Sequence, residues 1–289
     1  MFGVGVGVRV GGRTPVGGST YVGLLDTYPN AAAAYSVRLL RGGYTGNAIR
    51  VRRSSDNAEQ NIGFTALGNL DTTALTSFCS GTNGFVTTWY DQSGNGRDAT
   101  QTTATNQAQI VISGSVINVN SKPSLQFDGS NDRFLWAYQW ANQPFDFFNV
   151  AVNSTTAFKN IIAEGQGTSG YPALGVDNVN RFYLGRTGQA AFPFFTSDAT
   201  VNAQILSNFY STLGISLASI SCNFRKNNGT AENVIGSPFN NSNNQSTLGS
   251  AGNGDYWNGK IQEVILYSAD KTTSRTGIAT NINTYYGIY

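Results

Sequence analysis

Any acid–base chemistry in this chain falls to carboxylates, because its 289 residues include no histidine. That absence removes imidazole catalysis, histidine triads and histidine metal ligation together. The stretch Asp91-Gln92-Ser93-Gly94-Asn95-Gly96 combines a carboxylate, amides and a pliable backbone, as a catalytic loop would. The stronger reading is structural: Asp and Asn side chains bond to nearby backbone N–H groups and glycines accept positive φ, so the motif is expected to lock a corner between sheets. Asp128, Asn131 and Asp132 offer oxygen ligands for Ca²⁺, but without EF-hand spacing a β-turn explains them about as well, and no metal or other cofactor is assigned. Trp136, Tyr138 and Trp140 alternate with period two and share one face of an extended segment. Such a stripe can stack on a sugar ring, and its default role on a sandwich strand is core. Arg50, Arg52 and Arg53 read as surface or inter-subunit ion pairs, and the polar run 239–246 as a recognition loop or a hydrated spacer.

The elements that must position these groups read as all-β. Aromatic content is 12% and Gly numbers 34, which favours strands joined by tight turns. Short β-rich runs recur at 48–53, 84–90, 110–112, 124–127, 147–152, 161–162, 181–184, 220–224 and 261–267, bounded by turn residues, as in an antiparallel sandwich. Asn228-Gly229 is a candidate type I′ hairpin turn. The Ala-rich stretch 30–41 reads as a helix stopped by Gly42-Gly43, a second helix follows Asp71 as N-cap with Leu75 and Phe78 inward, and 272–286 has the spacing of an amphipathic terminal helix. Cys79 and Cys222 fit no CxxC motif and are expected as free, buried thiols.

Charged residues make up 12% of the chain and the net charge is +2, so a nucleic-acid partner is not expected. No segment approaches membrane-spanning length, and the first ten residues lack the basic and apolar regions of a signal peptide, so synthesis in the cytoplasm without Sec export is expected. Val4, Val6, Val8 and Val10 alternate with glycines, which suggests an arm over residues 1–18 that adds to a neighbour's sheet edge, ahead of a single domain over 19–289.

The run Trp89 to Asp98, preceded by Asp71 to Cys79, resembles the catalytic domain of the family 54 α-L-arabinofuranosidases. Two further phrases, 122–134 and 257–267, resemble the broader concanavalin A-like, laminin-G-like superfamily, whose phrases recur in tailed-phage virion proteins. The resemblance implies a concanavalin A-like or jelly-roll β-sandwich with a few short helices. It also implies a pair of carboxyls, since a retaining glycosidase sets two about 5–5.5 Å apart. In ungapped register Asn253 takes the place of the family's acid/base aspartate, with Asp255 two residues on. The region comparable to the family's nucleophile, 171–177, has no glutamate, Ile161-Ile162 stands for the adjacent-cysteine pair, and Gly84 for the partner of the cysteine equivalent to Cys79. Glu164 and Asp177 remain as substitute carboxylates, although a solvated surface position is the stronger expectation for each.

These departures lead to the expectation of a non-enzymatic bacteriophage virion protein, on a tail fibre or the capsid surface, whose sandwich binds glycans for host attachment. Asn253, Asp255, Tyr256, Trp257, Glu164 and Asp177 are its candidate ligand contacts. Expected partners are other virion proteins through the arm, a glycan and further copies of the chain. The rival readings are a purely structural virion part and an active arabinofuranosidase-like hydrolase using Asp255 with Glu164 or Asp177.

Overall fold

The computed structural model describes residues 21–140, 143–164, 172–186, 194–212, 220–236, 245–250 and 254–289. The proposed arm over residues 1–18 lies outside them, as does most of the polar run 239–246. The fold is the expected antiparallel β-sandwich with short helices. Its longest strand, Asn258–Tyr267, is flanked by Phe145–Asn153 on one side and by Ala33–Ser36 and Leu125–Asp128 on the other. Phe145–Asn153 continues the layer to Gln204–Ser211, then Ile220–Lys226 and Glu232–Gly236. The facing layer runs from Gly84–Trp89 through Ala99–Thr100, Phe134–Trp136, Ser246–Leu248, Lys159–Glu164, Pro172–Val176 and Arg181–Arg186 to Phe194–Asp198.

Every residue of Phe145–Asn153 is buried, and the reason is that both faces are covered. Phe147 faces the sandwich interior, where Phe182, Phe195, Phe209 and Phe224 pack edge-to-face or tilted with centroids 4.4–6.4 Å apart. The opposite face carries Asp146, which meets the C-terminal helix Arg275–Tyr286. Ile278, Ile282 and Tyr286 of that helix are buried, as their spacing predicts. One buried ion pair fastens it, and a second lies beneath it. Arg275 grips Asp146 with Nε and Nη2 at 2.7 and 2.9 Å and stacks on Tyr210 at 3.5 Å. Arg38 grips Glu263 in the same two-pronged way at 2.8 and 2.9 Å, with Tyr286 Oη 3.2 Å from the carboxylate.

The Ala-rich stretch 30–41 is not a helix. Ala33–Ser36 is a fully buried strand paired with Val264, Ile265 and their neighbours. Alanine's helical preference is small, about 0.7 kcal/mol or less per residue against most alternatives, and the Asp91 motif overrides it. Asp91 Oδ1 accepts the Ala34 N–H at 2.9 Å, Gln92 N donates to Ala34 O at 2.8 Å, and Gln92 Nε2 donates to Ser36 O and Arg38 O. Asn95 Nδ2 caps Ala31 O and Ala32 O. The motif is therefore the corner lock expected of it, and the segment it locks is the extended one.

The second helix, Thr72–Phe78, starts as expected, with Asp71 accepting the Ala74 N–H at 2.9 Å. Leu75 is fully buried and Phe78 partly so, beneath the Arg53 guanidinium. The hairpin after Ile220–Lys226 turns one residue earlier than expected: Asn227 and Asn228 both have positive φ, and Gly229 N donates to Lys226 O at 2.8 Å. Cys79 and Cys222 are buried and free, the first against Gly84, where a Cβ would stand 2.8 Å from its sulfur. Trp136 and Trp140 are core, while Tyr138 is partly exposed and stacked on Trp136. No helix among the described residues is long and apolar enough to cross a membrane.

Candidate active site

Three adjacent strands, Lys159–Glu164, Pro172–Val176 and Arg181–Arg186, gather polar side chains at one end of the facing layer. Arg181-Phe182-Tyr183-Leu184 alternates, so Phe182 and Leu184 enter the core while Arg181 and Tyr183 share the other face. Tyr183 is buried and donates its hydroxyl to Asn160 Oδ1 at 2.6 Å. Asn160 in turn donates its backbone N–H to Asp255 O at 3.0 Å, which holds the segment before Asn258–Tyr267 beside the strand end. Burial pushes the Tyr183 hydroxyl far above the usual phenol range, and the charges of Asp255 and Asp177 push it further.

Their environments differ. The Asp255 carboxyl is half-buried, and burial raises it above the ordinary aspartate range, with only Lys159 opposing the shift. Asp177 is fully buried and closes the turn between its two strands: Oδ1 accepts the N–H groups of Val179 and Arg181 at 3.0 and 2.7 Å, and Oδ2 pairs with the Arg181 guanidinium at 2.7 Å. Arg181 itself lies over the Phe194 ring at 4.0 Å.

Other candidates fall elsewhere. Glu164 is buried at the far end of its strand, opposite Ser246, four residues or about 13 Å along from Asn160 at the usual strand rise. The Asp177 turn and the Asp255 segment both meet the Lys159–Asn160 end of this strand, and Glu164 lies at the other. Trp257 is 1% exposed and lines a small internal cavity with Asn149, Asn153 and Phe182, which corrects the expectation that it lies outside the core. Tyr256 is partly exposed and accepts a bond from Arg133 Nη1 at 3.3 Å. Asn253 lies outside the described residues. Asp128 and Asp132 spend their oxygens on the turn: Asp128 Oδ1 accepts the N–H groups of Ser130 and Asn131, and Asp132 Oδ2 accepts that of Asp128. The residues that sequence reasoning missed are Lys159, Asn160, Arg181 and Tyr183. Alternation in 181–184 signals that two of them share a face, but only strand register puts Asn160 against Tyr183.

Comparison with known proteins bears on the fold and on residues 25–123. The family model for the catalytic domain of α-L-arabinofuranosidase B matches residues 25–123. In sequence the chain is 43% identical over 74 residues to a probable α-L-arabinofuranosidase B of Aspergillus terreus, and 40% identical over 73 residues to an α-L-arabinofuranosidase of Hypocrea jecorina. Each match covers 25% of the chain and only 15% of the relative's length. In fold it is similar to a family 54 α-L-arabinofuranosidase soaked with 4-nitrophenyl α-L-arabinofuranoside, with a TM-score of 0.66 and 16% identity over 89% of this chain and 63% of the other. An arabinofuranosidase complexed with arabinofuranosyl-α-1,2-xylobiose gives 0.65 and 17% over the same shares.

These findings correct the expectation of a non-enzymatic virion protein on a tail fibre or capsid surface. These sequence relatives and these two fold neighbours are named as arabinofuranosidases, not as phage attachment or decoration proteins. That expectation rested on the departures at Asn253, 171–177, Ile161-Ile162 and Gly84; the fold holds the segment two residues beyond Asn253 beside Asn160, whose N–H donates to Asp255 O at 3.0 Å. The chain carries the β-sandwich of the family 54 α-L-arabinofuranosidases and, over residues 25–123, the sequence pattern of their catalytic domain.

Proposed function

We propose that the chain is a glycoside hydrolase acting on α-L-arabinofuranosides, with Asp255 as the carboxyl that delivers a proton to the glycosidic oxygen. The observation that carries this reading is the Asp255 carboxyl itself, half-buried and raised above its ordinary range at the strand end it shares with Asp177 and Tyr183. A general acid must hold its proton at working pH, and burial is the means by which a carboxyl does so. Asp177, paired with Arg181 and fixed by two backbone N–H groups, is the second carboxyl of the site. The names of the sequence relatives and fold neighbours support arabinofuranosides as the substrate class.

The test is turnover of arabinofuranosyl-α-1,2-xylobiose, whose sugar leaving group needs a proton that 4-nitrophenolate does not, by the purified chain and by Asp255→Asn. Losing a positioned proton donor should lower kcat about 10²- to 10⁴-fold. Wild-type turnover should also decline on the alkaline side, as Asp255 gives up its proton above a raised pKa. An unchanged rate in Asp255→Asn would remove this residue from the reaction, and a wild-type chain inert on every furanoside would defeat the reading.

A further inference from the structure

A second cleft lies at the opposite end of the molecule. Asp255 precedes the strand Asn258–Tyr267, whereas Ser268 and Ala269 follow it, and ten residues of strand separate the two ends by about 30 Å. There, the Ser93–Arg97 part of the corner lock, Arg41 and the segment Pro29 to Ala32 enclose a space of ≈ 470 Å³.

Two guanidiniums face this space. Arg97 Nη1 donates to Ala32 O at 2.5 Å, and its plane stacks on Tyr138 at 3.9 Å. Arg41 Nη1 reaches Ser93 O at 3.4 Å, and its Nε is buried with no hydrogen-bond partner among the described residues. The Arg41 guanidinium lies against Gly94, where φ is +94° and a Cβ would stand 3.0 Å from Nη1, so the loop is shaped to admit it. At the rim Lys271 Nζ donates to Pro29 O at 3.2 Å, adding a third cation.

The neighbouring carboxylates do not pair with them and bind backbone instead. Asp91 receives the N–H groups of Ala34, Ser93 and Arg97, Asp98 that of Asp91, and Asp26 those of Gly23 and Gly42. Among the described residues neither Arg41 nor Arg97 forms an ion pair, in contrast to Arg38 and Arg275. Each guanidinium is therefore anchored through a single Nη1 bond with further N–H groups left for a ligand, and a planar fork of this kind matches a carboxylate. Ser93, Asn95 and Ser268 supply hydroxyl and amide groups beside Pro29 and Ala31, a mixed lining that suits a sugar ring.

We propose that this cleft binds the carboxylate of a hexuronic acid unit, as an anchoring site about 30 Å from Asp255. The choice of a sugar acid over other carboxylates rests on the glycoside hydrolase reading. The test titrates the full chain with D-galacturonate, with its neutral counterpart D-galactose and with inorganic phosphate, and follows binding by calorimetry. Galacturonate should bind, galactose should not, and phosphate should bind more weakly. Arg41→Gln should weaken galacturonate about tenfold, the size of one charge-assisted bond lost, while melting at the wild-type temperature without ligand. Binding of galactose as tight as galacturonate, phosphate equal to galacturonate, or no binding at all would each overturn the proposal, as would an Arg41→Gln chain that binds normally. Turnover of 4-nitrophenyl α-L-arabinofuranoside by the same samples separates the two ideas. Arg41→Gln should match wild type there, and a wild type that binds galacturonate without turnover would sink the hydrolase reading alone.

Discussion

Asp132 stands 6% exposed beside Asp128, and burial, with the neighbouring charge second, pushes its carboxyl up to about 7 from an ordinary 3.8. Between those two values the folded chain keeps a proton that the unfolded chain has released, so stability must fall as pH rises across that window and level off above it. Three units correspond to a ceiling of about 4 kcal/mol. Asp132→Asn keeps an oxygen for the Asp128 N–H but cannot ionise, so it should flatten the decline and melt at a higher temperature than wild type above pH 7. Melting curves from pH 4 to 8 check this, and parallel curves for the two proteins would contradict it. Asp255 resembles Asp132 in direction but not in setting, since Lys159 partly offsets its burial.

The C-terminal helix is held to the sheet by the Arg275–Asp146 pair as well as by Ile278, Ile282 and Tyr286, and it covers the buried Arg38–Glu263 pair. Breaking a buried ion pair from one side leaves the other charge stranded, which costs about 3–5 kcal/mol. Asp146→Ala and Glu263→Ala should each show a loss of that order in urea denaturation, far beyond the effect of Glu59→Ala in the exposed Arg50–Glu59 pair. At the hairpin, Asn228 holds φ at 57°, and Asn228→Gly should stabilise by a few tenths of a kcal/mol, read as a higher urea midpoint. How far these elements were legible follows the same physics. Alternating runs such as 181–184 and the period of 278, 282 and 286 disclose their own burial, and Asp71 its own cap. Ala33–Ser36 does not, because the groups that make it a strand, Asp91 and Gln92, lie more than fifty residues on. The site was legible by halves in the same way. Asp255 and Asp177 stood out as carboxylates, but the Tyr183–Asn160 bond beside them emerges only when three strands are set in register.

Across the whole molecule the two layers meet at the Phe182–Phe209–Phe224 stack, and the C-terminal helix covers the outer face of Phe145–Asn153 at Asp146. Truncation before Arg275 would bare Asp146, Glu263 and the apolar residues beside them, and such a chain should collect in the insoluble fraction, whereas removal of residues 1–18 can be read independently as soluble, folded protein. The two cysteines make opening of the molecule measurable without any label. Cys79 caps a helix in the first third, and Cys222 sits in the strand beyond Gln204–Ser211; burial raises both thiols above their ordinary range. A thiolate forms at either position only when its own surroundings come apart. Mass-resolved alkylation of the native chain therefore acts as a pair of clocks. Equal rates at the two sulfurs would mean that the sandwich opens as one body, and a faster Cys79 would time the release of the Thr72–Phe78 helix ahead of the rest.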